Sequence, residues 1–205
     1  MSYPNGRPPK EDGIKLLRLE RPDGIALLGY AGLGASLAGL EPSDWMNAVL
    51  RNSNAPLQET LLMLASAVRD QIPHQLLKIP GLGDHAHTIL APSLISNGTR
   101  PCLFAITLNL RARTNDHQII VQRLPPRIRI GVAGSATPYV LKNKPALIKL
   151  QRLVKAHERG RLSASAVADA FSKFNLEMSR KDSQVGPRCI VAWYHSKQSL
   201  IKQGR

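Results

Sequence analysis

The sequence predicts an α+β fold in which helices cover a core of two β-sheets. Two stretches with three- and four-residue apolar spacing divide the short β-branched runs into three groups, which indicates a helix pair between successive groups of strands. Strands and helices do not alternate one by one, and no internal repeat occurs. Strands grouped between helix pairs favour stacked layers over a doubly wound parallel sheet. The 205 residues and 43% hydrophobic content suit one globular domain.

The predicted elements follow one another in a simple order. They are strands over 14–19 and 25–28, helices over 41–52 and 57–71, strands over 88–90, 102–108, 118–121 and 128–132, helices over 137–157 and 163–176, and a strand over 189–194. Residues 14–195 are expected to form the domain. Residues 1–13, rich in proline and glycine, are expected to be an irregular leader, and 196–205 a polar, basic tail.

Capping residues and prolines set the expected helix ends. Ser43 or Asp44 can cap the first helix, and Pro73 is expected to end the second. Thr137 before a proline is a favourable start for the third helix, which Pro145 interrupts. A side-chain oxygen at position 163 can cap the last helix in the same way.

Turn residues separate the strands. Pro-Asp-Gly at 22–24, Asn-Gly at 97–98, Thr-Asn-Asp at 114–116 and Pro-Pro at 125–126 each lie between apolar runs. These residues favour turns because proline fixes φ, glycine accepts positive φ, and Asn and Asp bond to nearby backbone. The first pair of strands therefore reads as a hairpin.

The charge balance raises the question of nucleic-acid binding. Lys and Arg number 28 and Asp and Glu 14, giving a net charge of +14. The basic residues are scattered except over 142–161, where a helix would carry a basic stripe formed by Lys144, Lys149, Arg152, Lys155 and Arg159. Aromatic residues make up only 4%, which is few for a surface that stacks on bases. A basic nucleic-acid-binding or scaffold protein without catalysis is the alternative function, and it is not favoured.

Two short motifs suggest ligands but fit them poorly. The run Gly-Tyr-Ala-Gly-Leu-Gly at 29–34 begins like a dinucleotide fingerprint, yet its third glycine position is Leu37. A tight turn, or backbone N–H groups that bind an oxyanion, explain it better. His85 and His87, next to Asp84, would face one side of a strand, so their two imidazoles could share a metal, but a third ligand is not evident and a solvated loop before a strand is preferred. No cofactor and no metal are predicted.

Two further segments could carry catalytic side chains. Ser135 lies in a Gly-Ser turn that follows a predicted strand, and Asp182 begins an Asp-Ser-x-x-Gly loop before the last strand. Taken singly, each is an ordinary turn or loop. They follow a strand led by Lys15 and a glycine turn at Gly32. This order of the four segments along the chain is more informative than any one of them alone.

This order resembles the proteasome β-subunit branch of the N-terminal-nucleophile hydrolases. The resemblance implies a four-layer αββα sandwich and hydrolysis of a peptide or amide bond. Lys15 looks like the family lysine that stabilises the nucleophile, and Gly32 like the glycine of the oxyanion hole. Ser135 and Asp182 look like the serine and the aspartate that order the proton relay.

The chain departs from the family pattern at its start and in two loops. The family has two strands before its lysine, whereas only fourteen residues precede Lys15. Ala136 and Val185 replace a glycine and a serine of the family turns. Removal of Met1 would leave Ser2 as a nucleophile, although the prolines after it do not suit a strand.

The resemblance therefore implies a hydrolase homologue that is incomplete at its N-terminus. It is either a truncated enzyme or an inactive structural relative. We expect it to be a homo-oligomer because an edge left unpaired would favour association. No apolar run approaches the ~18 residues of a membrane helix and no secretory signal is present, so the expected location is the cytoplasm, away from membranes.

Overall fold

The fold is described from a computed structural model of the chain. It describes residues 15–32, 41–76, 83–95, 100–111, 114, 116–124, 132–133, 136–182, 185, 189–195 and 198–204. The chain divides into two compact units, residues 2–128 and residues 129–205. The described part is α+β, with a five-stranded antiparallel sheet and five helices.

The first unit is an antiparallel sheet with two helices. Its elements are β1 (Leu16–Arg21), β2 (Gly24–Ala31), α1 (Pro42–Leu50), α2 (Leu57–Leu76), β3 (His85–Ile95), β4 (Arg100–Arg111) and β5 (Asp116–Leu124). The strands lie in sequence order, β1-β2-β3-β4-β5, each antiparallel to its neighbour. A sheet of this order needs no crossover, so its register follows from local hairpins and one helical connection.

The two helices cover one face of this sheet. Alternate residues of each strand point to that face, and they form a core with the apolar stripe of α2. The fully buried members include Leu28, Leu61, Leu64, Ile106 and Leu108. Truncating one of these to alanine would cost about 2–5 kcal/mol, so this layer dominates the stability of the unit.

The β1–β2 turn holds both helices by their ends. Asp23 Oδ1 accepts a hydrogen bond from the backbone N–H of Leu57, 2.7 Å away, at the start of α2. Arg21 donates to the carbonyl oxygen of Leu50, at 2.9 Å, at the end of α1, and to Thr60 Oγ1 at 3.1 Å. Backbone groups at helix ends have no hydrogen-bond partner within the helix. Here the side chains of Asp23 and Arg21 supply those partners.

The second unit contains three helices and a hairpin. They are α3 (Thr137–Lys142), α4 (Lys144–Glu158), α5 (Ala164–Ser179), β6 (Cys189–His195) and β7 (Gln198–Gly204). Asn143 caps α4 through a bond from Ala146 N at 3.3 Å. Ser163 caps α5 through a bond from Ala166 N at 3.2 Å, as the sequence predicts.

Two helices begin one or more residues away from the predicted caps. Glu41 is the N-cap of α1, so Ser43 and Asp44 lie inside the helix. Ala136 is the N-cap of α3, so Thr137 is already helical. In both cases a proline lies in the first turn, where its missing N–H costs nothing, and no side-chain cap bond forms.

The predicted end of α2 at Pro73 is wrong. The helix continues to Leu76, with Pro73 inside it. A proline removes one backbone hydrogen bond of the helix. Pro73 and its neighbour Ile72 are both buried, and this packing offsets the loss.

The strands are longer than predicted, and one was not predicted. β3 covers eleven residues instead of three, because the strand accommodates buried polar residues, His87 and Ser93, on its inward face and the exposed Pro92 on its outward face. β7 occupies residues expected to be a polar tail and pairs with β6. The leader at 1–13, most of the strand predicted over 128–132, and the turns at 97–98 and 125–126 lie outside the described residues.

Among the described residues, no helix is both long and apolar enough to cross a lipid bilayer.

Candidate functional site

One end of the five-stranded sheet gathers polar side chains from three strands. Lys15 precedes β1, Tyr30 is near the end of β2, and His87 is near the start of β3. The backbone N–H of Tyr30 donates to the carbonyl oxygen of Lys15 at 2.8 Å, which aligns β1 with β2. In the β2–β3 register Ala31 pairs with Thr88. The next step along both strands sets Gly32 opposite His87.

Lys15 is held over the turn that follows β2. Its Nζ donates to the carbonyl oxygen of Gly32 at 3.0 Å and lies 5.9 Å from the centre of the Tyr30 ring. Burial lowers the pKa of Lys15 to about 8, and the negative charge of Glu41 opposes part of this shift. The amine is therefore largely cationic at neutral pH and loses its proton within the range an enzyme can use.

Tyr30 and His87 form a short hydrogen bond beside this lysine. The Tyr30 hydroxyl and His87 Nδ1 are 2.5 Å apart. Burial raises the pKa of Tyr30, so the phenol keeps its proton. Burial, then the electrostatic effects of the neighbouring His85 and Lys15, lower the pKa of His87 to about 3, so its ring is neutral. These states assign the phenol as donor and Nδ1 as acceptor, which leaves the proton of the ring on Nε2.

His87 is almost completely enclosed. Its side chain is 2% exposed, and its Nε2 has no hydrogen-bond partner among the described residues. Strand alternation places it on the helix-covered face with Ile89 and Ala91. A buried N–H without a partner costs free energy, so the sheet end holds this imidazole at the expense of stability.

Gly32 fits this site because it has no side chain. A Cβ at this position would lie 2.3 Å from His87 Nδ1 and 3.0 Å from the Tyr30 hydroxyl. Its φ of +155° is also rare for other residues. The described part of the motif, residues 29–32, is therefore the end of β2 followed by a close-packed glycine, and it gives no evidence for a dinucleotide site.

The prediction that the histidine pair lies in a loop is wrong. His85 and His87 both belong to β3, and their ring centres are 5.6 Å apart. Within the described ranges no group of three His, Cys, Asp or Glu side chains could hold a metal ion.

The four residues chosen from the sequence have different outcomes. Lys15 and Gly32 are in direct contact. Ser135 is outside the described residues. Asp182 belongs to the other unit, where it is half-buried after α5; its backbone N–H donates to the Met178 carbonyl oxygen at 3.0 Å.

Sequence reasoning missed Tyr30 as a site residue and considered His87 only as a metal ligand. The two are 57 residues apart in the chain. Only the β2–β3 register brings them together. The one signal in the sequence is a polar residue at an inward position of each strand.

Neither the protein-family models, nor the curated proteins, nor the solved structures with which the chain was compared match it. The chemistry of the site is therefore argued from its own residues.

Proposed function

We propose that this chain is a homologue of the N-terminal-nucleophile hydrolases, of the proteasome β-subunit type, that acts on a peptide or amide bond. The contact between Lys15 and Gly32 carries the proposal. The resemblance gives Lys15 the role of the cation and Gly32 the role of the oxyanion-hole glycine. Lys15 Nζ lies 3.0 Å from the carbonyl oxygen of Gly32.

The architecture of the first unit supports the four-layer part of the proposal. α1 and α2 cover one face of the sheet. On the opposite face, Leu27 is 5% exposed and Ala105 4% exposed, although strand alternation turns both away from the helices. Apolar side chains buried on both faces are typical of a sheet that is the inner layer of a sandwich. The full αββα arrangement is part of this proposal.

In the proposed reaction the N-terminal nucleophile attacks the carbonyl carbon of the substrate. The C–N bond then breaks, the amine leaves with a proton, and water hydrolyses the acyl ester. The Lys15 ammonium stabilises the ionised nucleophile, and the N–H of Gly32 stabilises the oxyanion.

The hydrogen bond from Lys15 restrains the glycine that this mechanism needs. It fixes the carbonyl of Gly32, and the His87 ring and the Tyr30 hydroxyl lie so close to Gly32 that not even a methyl group fits between them. A donor that is already in place needs no reorganisation when charge develops on the substrate oxygen.

Covalent labelling of the full chain tests the proposal. The protein is treated with a peptidyl β-lactone, and the acyl adduct is measured by intact mass spectrometry and located by peptide mapping. We expect one adduct, on the nucleophile that peptide mapping identifies, whose rate of formation falls ~100-fold in Lys15→Met. The rate should also fall above about pH 8 as Lys15 loses its proton.

The matched control is Lys173→Met, which removes an exposed lysine of α5 and should label like the wild type. Circular dichroism of each variant checks that it is folded. Absence of any adduct, together with no hydrolysis of fluorogenic peptide amides, would sink the proposal. Equal labelling of Lys15→Met and wild type would remove Lys15 from the mechanism.

A further inference from the structure

One segment of the second unit is far more basic than the rest of the chain. Residues 136–161 carry seven lysines and arginines and a single acidic residue, Glu158. All seven basic side chains are exposed: Lys142, Lys144, Lys149, Arg152, Lys155, Arg159 and Arg161. Most of the basic residues of this segment lie on or directly beside α4.

The cations of α4 concentrate on one side of the helix. At 100° per residue, Lys144, Lys155, Arg159 and Arg152 fall within an arc of about 80°. Lys149 lies roughly 60° beyond its edge, so the stripe expected from the sequence is narrower than its five residues suggest. From Lys144 to Arg159, the C-cap, the face extends ~22 Å. We name the face formed by Lys144, Arg152, Lys155 and Arg159 the α4 basic face.

Like charges on the α4 basic face repel one another. Arg152 and Lys155 are three residues apart, and Lys155 and Arg159 four, which are the spacings at which helix side chains are neighbours. Such a cluster weakens an isolated helix, and a polyanion laid along it would relieve the repulsion. We infer that the α4 basic face binds the sugar–phosphate backbone of a nucleic acid.

Charge complementarity supports this partner. A duplex carries one negative charge per about 1.7 Å of its axis, so a face ~22 Å long reaches several phosphates. Ammonium and guanidinium groups both bind phosphate oxygens without reading bases. The inference goes beyond the proposed hydrolase function and does not depend on it.

A membrane surface fits this face less well. A helix that lies on a membrane inserts an apolar face of its own into the lipid. The apolar side of α4 is occupied within the protein: Leu150 is 4% exposed, and Leu153 and Val154 are half-buried where α4 packs on α5. Ile148, at 47% exposure, is the one large apolar side chain of α4 that is strongly exposed.

The test measures binding of the full chain to labelled 20-base-pair duplexes, one of DNA and one of RNA, by fluorescence anisotropy at several salt concentrations. Its key variant is Lys144→Gln with Arg152→Gln and Lys155→Gln. The matched control, Arg51→Gln with Arg69→Gln and Arg111→Gln, removes the same net charge from exposed positions of the other unit.

We expect the α4 variant to bind at least ~10-fold more weakly at 50 mM salt. The slope of log K against log salt should flatten by about 2.7, which is three lost phosphate contacts at 0.9 each. The control variant should keep the wild-type slope to within one contact.

Three outcomes would overturn the inference: no duplex binding by the wild type at low salt, equal weakening in the two triple variants, or binding to vesicles of anionic lipid in place of either duplex. The second outcome would mean that net charge alone attracts the polyanion. Circular dichroism of both variants excludes unfolding as the cause of a loss.

Discussion

His87 is the residue whose protonation the fold opposes most directly. It accepts a hydrogen bond from Tyr30 at Nδ1, lies beside Lys15 and His85, and is almost fully buried. A proton on Nδ1 would break the bond from the phenol and place a cation in the core. The folded structure therefore keeps the His87 ring neutral even at a pH at which an exposed histidine would be protonated.

This environment predicts a loss of stability in acid. The pKa of His87 is about 3 in the folded state and 6.5 in the unfolded state, so the unfolded state binds more protons between these values. The free energy of unfolding should fall by a few kcal/mol as the pH drops from about 6.5 to 3. Urea titrations at several pH values measure it.

The variant His87→Leu should be less stable than the wild type at pH 7, because Tyr30 loses its hydrogen-bond acceptor. Its free energy of unfolding should, however, change less with pH below 6.5. His74→Leu, at an exposed position of α2, is the control and should keep the wild-type slope. The same slope in His87→Leu as in the wild type would show that other groups cause the acid sensitivity.

At the scale of single elements, the sequence predicts correctly those features that depend on residues close together in the chain. The α5 N-cap at Ser163 is confirmed because the cap depends on two residues close in sequence. The predicted end of α2 was wrong because Pro73 is buried inside the helix, and burial cannot be read from the neighbouring residues in the sequence. The strand β7 was missed because Gln198–Gly204 has few apolar residues and owes its conformation to pairing with β6.

The cap at Ser163 gives a prediction for α5. Ser163→Ala removes the acceptor for Ala166 N and should lower the stability of the helix by about 1 kcal/mol. Hydrogen exchange of the α5 amides measures the change. Ser163→Asn keeps an acceptor and should exchange nearly like the wild type. If both variants exchange alike, the side-chain cap contributes nothing.

The candidate site could be predicted only in part for the same reason. Lys15 directly precedes β1 and Gly32 directly follows β2, so the hairpin predicted from the sequence already places the two residues close together. Tyr30 and His87 meet through the pairing of β2 with β3, across the two helices between those strands. A one-residue slip of that register would turn His87 away from the core, and the sequence alone does not fix it.

At the scale of the whole molecule, charge is the dominant feature. A net charge of +14 on 205 residues repels itself, and the repulsion is stronger in the compact state than in the unfolded chain. The α4 basic face concentrates this effect in one place. The same excess that would attract a polyanion therefore reduces stability in its absence.

We expect the midpoint of thermal unfolding to rise by a few degrees between ~10 mM and ~200 mM sodium chloride. Salt shortens the screening distance from ~30 Å to less than 10 Å over this range. Differential scanning calorimetry measures the midpoint, and sucrose at equal osmolality is the control. A midpoint that falls with salt would mean that favourable ion pairs outweigh the repulsion.

The tight fit at Gly32 has a consequence for reading mutational tolerance. A saturation scan would find this codon intolerant of every side chain, because even a methyl group meets His87 and Tyr30. That intolerance would be steric and would arise whether or not the protein turns over a substrate. Activity is better read at Lys15, where methionine is close in length and differs mainly in its charge and hydrogen bond. Substitutions at Gly32 and Lys15 together separate packing from chemistry. A loss of fitness at both positions indicates function, whereas a loss at Gly32 alone indicates only the tight packing at this end of the sheet.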